Sequence, residues 1–322
     1  MRSNSVARSE RLRKIEELLL AAPDGLTQAE IARKLGVNRS TIFRDLTGLP
    51  ASVYQEDTRL LIDRQSYLMS VRMTLHEAMA LHLAVRLLAT RVERQNPHAA
   101  SATRKMAAAL ERLAPRISEH LEASASEIDG DSHCPDPLFI GVLEKVTLAW
   151  AERRKLQIWY RKDGSQVSEY TLSPYFIEPY AIGQSTHVIG WSDSSAALRT
   201  FKVERIERAE LTRQPYEVVA GFDAGTLLSE AWGIWYSDRE PVEVVLKFNC
   251  QAARRVAETR WHRSEKTTLL EDGSMLWRGR IAEPQEMMPW IRSWGAQVEV
   301  LEPQGLRAAL GEDMRKAAEL YG

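Results

Sequence analysis

A pair of short helical patterns joined by a glycine turn constrains the fold of this 322-residue chain most. Thr27 stands three residues before Glu30, which is the capping-box spacing that begins a helix, and the apolar periodicity that follows ends at Gly36. Asn38 then supplies an N-cap for a further helix over 39–46. The pattern predicts a helix-turn-helix, whose second helix has the size to enter the major groove of duplex DNA.

The second helix of this pair has an apolar and a polar side. Its apolar side chains are expected to face the core: Ile42, Phe43 and Leu46. Its polar side chains are expected to meet base edges: Arg39, Ser40, Thr41 and Arg44. A preceding helix is predicted from Ser9 to the turn at residues 23–25, where Pro, Asp and Gly follow one another.

Residues 53–62 predict two short strands around a polar turn, which would form the wing of a winged helix. Arg59 in this wing is expected to reach a phosphate or a minor groove. The predicted DNA-binding residues are Thr27, Asn38, Arg39, Ser40, Thr41, Arg44 and Arg59. A small helical domain that contacts other proteins would show a similar pattern, so that alternative stays open.

The segment 26–46 resembles the winged helix of the DeoR-like bacterial regulators. Its residues 37–46 read Val-Asn-Arg-Ser-Thr-Ile-Phe-Arg-Asp-Leu, which is similar to the recurring recognition-helix pattern V-x-R-x-T-x-x-R-D-L. This resemblance implies binding of a duplex DNA operator and a role in transcription regulation.

Length and composition indicate several domains. A chain of this length is too long to pack around one ordinary hydrophobic core, and its 44% hydrophobic residues are enough to form more than one. The net charge of −1 means that any nucleic-acid binding depends on local clusters of cations. We expect a cytoplasmic protein without membrane association, because no apolar run is long enough to span a bilayer and the N-terminus lacks a signal-peptide pattern. The two cysteines, Cys134 and Cys250, lie far apart and predict no disulfide framework or zinc site.

The middle of the chain predicts a helical bundle over 74–121, broken at Asn96-Pro97 and at Pro115, followed by an exposed linker over 123–137. His76 and His82 are six residues apart, which places them on different helix faces, so we expect no metal site there. The bundle either helps dimerisation and signal transmission or is a passive spacer.

The second half begins with a predicted helix over 138–152 and continues as a run of short strands. The strands are predicted over 155–160, 170–172, 176–180, 187–191, 199–203 and 209–211. Their close spacing favours a small curled sheet or barrel. The region 242–321 then predicts strands and helices in the order of a ferredoxin-like α/β sandwich, with helices over 252–261 and 285–294.

These strands resemble the WYL-domain family. The matching segments are Ile158-Trp159-Tyr160, Leu172-Ser173-Pro174, Val188-Ile189-Gly190 and the Arg-x-Phe-x-x-x-Arg-Ile run over 199–206. Thr186-His187-Val188 stands where the family has its name-giving tripeptide, and Tyr170 stands where many members carry Arg. The last region is similar to the C-terminal extension of WYL proteins at residues 261–264, 294–303 and 306–307.

The resulting fold class is multidomain α+β. We expect a winged helix-turn-helix over 1–70, a helical bundle linker over 71–122, a small β-barrel-like (Sm-like) WYL domain over 138–220 and a ferredoxin-like WYL C-terminal extension over 241–322. The family resemblance implies a ligand-responsive regulator that senses single-stranded nucleic acid, a nucleotide or another anion, in a DNA-damage or phage-defence response.

Arginine guanidinium groups suit an anionic effector, because they form charge-assisted hydrogen bonds with phosphate. Tyrosine, serine and histidine would donate hydrogen bonds, and Tyr175 or Trp261 would stack a base. The predicted effector-binding residues are Tyr160, Ser173, Tyr175, His187, Arg199, Arg205, Arg254, Arg255, Trp261 and Arg263.

Two other function classes remain as alternatives. A nucleotide-acting enzyme receives little support, since the sequence has no Walker loop, dinucleotide-binding glycine pattern, nucleophile elbow or paired metal-ligand motif, and we expect no catalytic residue and no cofactor. A protein-interaction module would tolerate the loss of Arg39 and Arg44, whereas a DNA-binding protein would not.

We expect a homodimer whose two winged helices bind the two half-sites of a DNA operator. Activation and repression are equally compatible with the sequence.

Overall fold

The computed structural model describes residues 2–22, 24–49, 52–63, 71–89, 96–130, 135–164, 166–180 and 184–322, with only the backbone of residues 2–7 and 88–89. The chain divides into two compact units, residues 1–81 and 82–322. Cys134 lies outside the described residues. No helix in the described ranges combines the length and the apolar character that a membrane crossing needs.

The first unit is a helical core with a three-stranded sheet. Its elements are α1 (Arg2–Leu20), β1 (Leu26–Thr27), α2 (Gln28–Leu35), α3 (Arg39–Asp45), β2 (Val53–Glu56) and β3 (Arg59–Ile62). The sheet is antiparallel, with the order β1-β3-β2. Ile15 of α1, Ile31 of α2, Ile42 of α3 and Leu60 of β3 form its buried core. The predicted winged helix-turn-helix elements are therefore present.

Local interactions set where α2 begins and ends. The Glu30 amide donates to Thr27 Oγ1 over 3.2 Å, and the Thr27 amide donates to Glu30 Oε2 over 2.7 Å, which completes the predicted capping box. Gly36 ends the helix with a φ of 66°, a left-handed conformation that glycine adopts without a Cβ clash. The turn to α3 follows from that conformation.

Three helices follow: α4 (Leu75–Ala89), α5 (Pro97–Leu110) and α6 (Pro115–Ile128). The helices α5 and α6 begin at the prolines that predicted breaks, because proline is suited to the first turn of a helix. The prediction of a linker from residue 123 is wrong over 123–128, because Ser124, Ala125 and Ile128 are buried and extend α6.

The central region of the second unit is one antiparallel sheet covered by a helix. Its elements are α7 (Pro137–Glu152), β4 (Arg154–Arg161), β5 (Val167–Tyr180), β6 (Ser185–Ser192), β7 (Ala197–Lys202) and β8 (Ile206–Pro215). The strand order is β7-β6-β5-β4-β8, and within the described ranges the edge strands β7 and β8 do not pair to close a barrel. The two strands predicted over 170–180 are one strand with a bulge between Pro174 and Phe176.

The last region forms a second antiparallel sheet with helices. Its elements are α8 (Ala224–Leu227), β9 (Val242–Phe248), α9 (Cys250–Ala257), β10 (Lys266–Leu269), β11 (Met275–Ile281), α10 (Met288–Ser293), β12 (Val298–Glu302) and α11 (Gln304–Tyr321). The strand order is β10-β11-β9-β12, and the core is rich in tryptophan, with Trp232, Trp277, Trp290 and Trp294 in one cluster.

Two helix predictions in this region differ from the structure. The helix α9 ends at Ala257, four residues before the predicted end at Trp261, because Glu265 Oε2 accepts the Trp261 and His262 amides and fixes a turn there. The helix predicted over 285–294 is a 3-10 turn over Pro284–Met287 that continues as α10.

Candidate nucleic-acid interface and effector cleft

The helix α3 presents a polar face to solvent, with one apolar side chain, Phe43, exposed within it. Arg39, Ser40 and Arg44 are exposed there, whereas Thr41 is half-buried. The prediction that Phe43 faces the core is wrong, because 65% of its surface is exposed. A helix of seven residues buries one narrow stripe, and Ile42 and Asp45 occupy it in α3.

Asp45 anchors α3 to α1. Its carboxylate is buried and accepts hydrogen bonds from Arg11 Nε over 2.5 Å and Arg11 Nη2 over 3.2 Å. Arg8 Nε lies 3.3 Å from the same carboxylate. A buried carboxylate held by two guanidinium groups fixes the orientation of α3, and therefore of the polar face that it presents.

The predicted DNA-binding side chains differ in how far their polar atoms are already used. Arg39 forms no ion pair with any described residue, and Arg44 donates from Nε to the Ser40 carbonyl over 3.3 Å. Arg59 Nη1 donates to the Gly25 carbonyl over 2.8 Å, and the Thr27 hydroxyl is engaged in the capping box. Asn38 occupies the N-cap position of α3, but its side chain makes no capping hydrogen bond.

A cleft of about 720 Å³ lies in the second unit, between the β5–β7 part of the sheet and the segment that follows β8. Four predicted effector residues meet in it: Tyr160, His187, Arg199 and Arg205. The sequence interpretation missed ten further lining residues: Lys162, Tyr170, Tyr180, Ser185, Ser195, Thr200, Phe201, Lys202, Ile234 and Trp235. The sequence offered a signal for two of them, because Lys202 lies within the strand predicted over 199–203 and Lys162 lies two residues after the strand predicted over 155–160.

Positive charge dominates this cleft. Lys162, Arg199, Lys202 and Arg205 line it, and in the described part of the chain only Arg205 forms an ion pair, with Asp163 at 2.5 Å. Asp163 is itself solvent-exposed, so the pair neutralises little of the charge inside the cleft. Cationic side chains that converge on one cavity favour an anionic ligand.

A buried histidine, His187, and a half-buried tyrosine, Tyr180, lie beside these cations. Burial, reinforced by the charges of Lys202 and Arg205, lowers the pKa of His187 to about 4, so its imidazole is neutral at pH 7. Burial, together with the charge of Glu286, raises the pKa of Tyr180 to about 12, and the Tyr180 ring packs edge-on to His187 at 6.0 Å. His187 Nδ1 is buried and has no hydrogen-bond partner among the described residues. Neutral tyrosine and imidazole groups both donate hydrogen bonds to an anion.

The outer wall of the cleft is a segment over 232–236 that Glu286 holds in place. Glu286 Oε2 accepts the Gly233 amide over 2.9 Å, and Oε1 accepts the amides of Ile234 over 2.7 Å and Trp235 over 3.1 Å. A Cβ atom at Gly233 would collide with the Tyr180 ring, which requires glycine there. Trp235 is 51% exposed, so its indole ring is accessible from the cleft.

The remaining predicted effector residues lie elsewhere in the second unit. Ser173 and Tyr175 line a groove with Trp191, where the Tyr175 ring packs against other aromatic rings. Arg255 and Trp261 line a cleft of about 350 Å³.

Two arginines of the last region are already engaged. Arg254 is exposed and pairs with Glu258 at 3.5 Å, and Arg263 Nη2 donates to the Gly225 carbonyl over 3.2 Å.

No group of three or more His, Cys, Asp or Glu side chains suited to a metal ion occurs in the parts of the chain that the structure describes.

Three family profiles match the chain in sequential order: an HTH domain over residues 11–55, a WYL domain over 141–211 and a WCX domain over 240–318. Among solved structures, the chain is similar to proteasome accessory factor B/C (PafBC) of Arthrobacter aurescens, with 21% identity and a TM-score of 0.31. That match covers 94% of this chain and 47% of PafBC, so the chain spans about half its length. A CRISPR Cas-related protein matches with 9% identity and a TM-score of 0.41, over 80% of this chain and 88% of that one. No curated protein matches.

Proposed function

The chain belongs to the WYL-domain transcriptional regulators, and from that premise we propose that it binds a duplex operator through α3 and that an anion in the cationic cleft switches this binding. The observation that carries the proposal is the presence of both surfaces in one chain. The helix α3 exposes Arg39 and Arg44, and the second unit encloses a cleft with four cationic side chains.

The DNA-binding half of the proposal rests on α3 and the wing. The exposed arginines would contact base edges and phosphates, and Ser40 and Thr41 would add hydrogen bonds. Asn38, Thr27 and Arg59 are expected to contact the phosphate backbone through atoms that their internal hydrogen bonds leave available. Operator binding would then weaken steeply with added salt.

The proposed effector is a single-stranded nucleic acid or a nucleotide. Arg199, Arg205 and the two cleft lysines would bind phosphate, and the exposed ring of Trp235 would stack a base. A mononucleotide would use the cleft residues alone. The residues of the other surfaces are expected to matter only for a longer strand: Ser173, Tyr175, Arg254, Arg255, Trp261 and Arg263.

Further parts of the proposal concern assembly and domain organisation. We propose a cytoplasmic homodimer that places two recognition helices on two half-sites and serves a DNA-damage or phage-defence response. The sequential order of β9 to β12 with its helices, together with the strand order β10-β11-β9-β12, supports a ferredoxin-like last domain. The five-stranded antiparallel sheet supports an Sm-like WYL domain whose barrel is not closed in the described ranges. The proposed domain bounds are those predicted from the sequence, except that the helical bundle extends to Ile128, where α6 ends.

The test is the effect of a short single-stranded oligonucleotide on a complex of the full chain with a fluorescent duplex. We expect the oligonucleotide to change the duplex affinity of the unmodified chain, and Arg199→Ala or Arg205→Ala to blunt that change while leaving basal duplex binding intact. Arg213→Ala is the matched control, because Arg213 is an exposed arginine on β8 that does not line the cleft.

Simple competition for α3 has to be separated from a response in the cleft. Direct binding of the oligonucleotide to Arg39→Ala, measured with labelled oligonucleotide, makes that separation. Retained binding that is lost in Arg205→Ala supports the cleft. An effect that is identical in the unmodified chain, both cleft variants and Arg213→Ala contradicts the assignment of the effector site.

A further inference from the structure

Phe43 is an exposed aromatic residue in the middle of the polar face of α3. Of the large apolar side chains described in residues 1–81, it has the greatest exposed fraction, 65%. Leaving a phenyl ring in water forgoes the free energy that its burial would contribute. Because the ring lies among the side chains of α3 that are proposed to contact DNA, a duplex that meets this face also meets the ring.

The surroundings of the ring restrict what can cover it. Phe43 follows Arg39 by four residues and Ser40 by three, so the three side chains lie on one face of the helix. Arg44 is the next residue, and its guanidinium folds back to the Ser40 carbonyl on the same face. The covering surface has to offer an apolar group that is surrounded by hydrogen-bond acceptors and negative charge.

The major groove of duplex DNA offers this combination at one base. The C5-methyl group of thymine projects into the groove beside acceptor atoms, and phosphates line the edges. We propose that Phe43 is a specificity residue that contacts a thymine methyl group in each half-site. This inference rests on the proposed operator binding and names the base that α3 selects through an apolar contact.

The experiment uses the full chain and a duplex that the chain itself selects from a random library. Each thymine of one half-site is replaced in turn by deoxyuridine, which removes only the methyl group. We expect about a fourfold loss of affinity at one thymine, the amount that burial of one methyl group contributes, and a much smaller loss elsewhere. Replacement of that thymine by cytosine and by 5-methylcytosine should show the same preference for the methylated base.

Protein variants connect this effect to the ring. In Phe43→Ala the sensitive thymine should lose its advantage over deoxyuridine, because the two changes remove the same contact and are not additive. Leu269→Ala is the matched control: Leu269 is a similarly exposed apolar residue on the edge strand β10, and its removal should preserve the uridine effect. If Phe43→Ala fails to fold, Phe43→Leu and the uridine scan on the unmodified chain still decide the matter.

The outcomes separate this inference from the proposal beneath it. Selection of no duplex by the chain contradicts operator binding itself. A selected duplex with a flat uridine scan, or a uridine effect that persists unchanged in Phe43→Ala, overturns the thymine contact while operator binding stands. A flat scan together with a lower oligomeric state of Phe43→Ala in sedimentation assigns the ring to a second copy of the chain instead.

Discussion

Replacement of Glu286 by alanine should destabilise the second unit, because this carboxylate holds the wall of the effector cleft. The side chain is 2% exposed and accepts three backbone amides, from Gly233, Ile234 and Trp235. Alanine leaves those donors without an acceptor. The amides of the partly buried Gly233 and the buried Ile234 are shielded from water, and each such donor costs about 1–3 kcal/mol.

The net loss is smaller than the sum of these costs. Trp235 is the most exposed of the three residues, so we expect water to replace its hydrogen bond. The ionised carboxylate also opposes folding, since burial raises the pKa of Glu286 in spite of the amide hydrogen bonds. We therefore expect a loss of about 2–4 kcal/mol in the free energy of unfolding, which corresponds to a fall in Tm of roughly 5–15 °C for a unit of this size.

Glu286→Gln separates the geometry of this site from its charge. The amide keeps one oxygen for Ile234 and Trp235 but turns a donor toward the Gly233 amide, so its loss should be smaller than that of Glu286→Ala. The pKa of Glu286 in the folded chain lies above its ordinary value. As the pH rises, this carboxyl therefore loses its proton in the unfolded chain before it does so in the folded chain. The contribution of this group to stability is therefore lost as the pH rises through the folded pKa, and Glu286→Gln should lack that slope.

The assay is thermal and urea unfolding followed by circular dichroism at several pH values. Glu271→Ala is the control, since Glu271 is exposed in the turn before β11. Melting curves for Glu286→Ala that coincide with those of Glu271→Ala would refute the claim that Glu286 stabilises the segment over 232–236.

Two further predictions concern charged groups of the two surfaces. The pKa of His187 is lowered to about 4, so on acidification the unfolded chain takes up its proton first, and stability should fall as the pH drops from about 6.5 toward 4. His187→Gln should flatten that dependence of stability on pH in urea titrations. Inorganic phosphate should bind the unmodified chain more tightly at the acidic end of this range, as measured by calorimetry. Asp45→Ala removes the acceptor for Arg11, so the first unit should lose about 1–3 kcal/mol of stability and bind duplex DNA more weakly. The control is Asp24→Ala, because Asp24 is an exposed carboxylate. Urea midpoints and duplex affinities that are the same in both variants would contradict the anchoring role of Asp45.

Local patterns in the sequence were sufficient to predict the helix-turn-helix and most strands. The capping box of Thr27 and Glu30, the turn at Gly36 and the alternation of β4 depend on residues close together in the chain. The exposure of Phe43 was not predicted, because apolar character alone does not tell which stripe of a short helix meets the core. Ile42, one residue earlier, occupies that stripe.

The candidate cleft was predicted only in part. Tyr160 on β4, His187 on β6 and Arg199 on β7 come together because one sheet carries these strands, and Arg205 lies in the 3-10 turn between β7 and β8. Trp235 was missed because its segment has no periodic pattern, and its placement depends on Glu286, which lies 51 residues further along the chain. Long-range hydrogen bonds of this kind leave no local sequence signal.

The central claim, operator binding through α3, is tested most directly by fluorescence anisotropy of the full chain with its selected duplex between about 50 and 200 mM salt. The unmodified chain should bind with an affinity that falls steeply as salt rises. Arg39→Ala and Arg44→Ala should weaken binding and flatten the salt dependence by about one unit of slope for each lost phosphate contact, whereas Arg112→Ala, an exposed arginine of the bundle, should not. No duplex binding at low salt, or affinities that are identical in all three variants, would contradict the account.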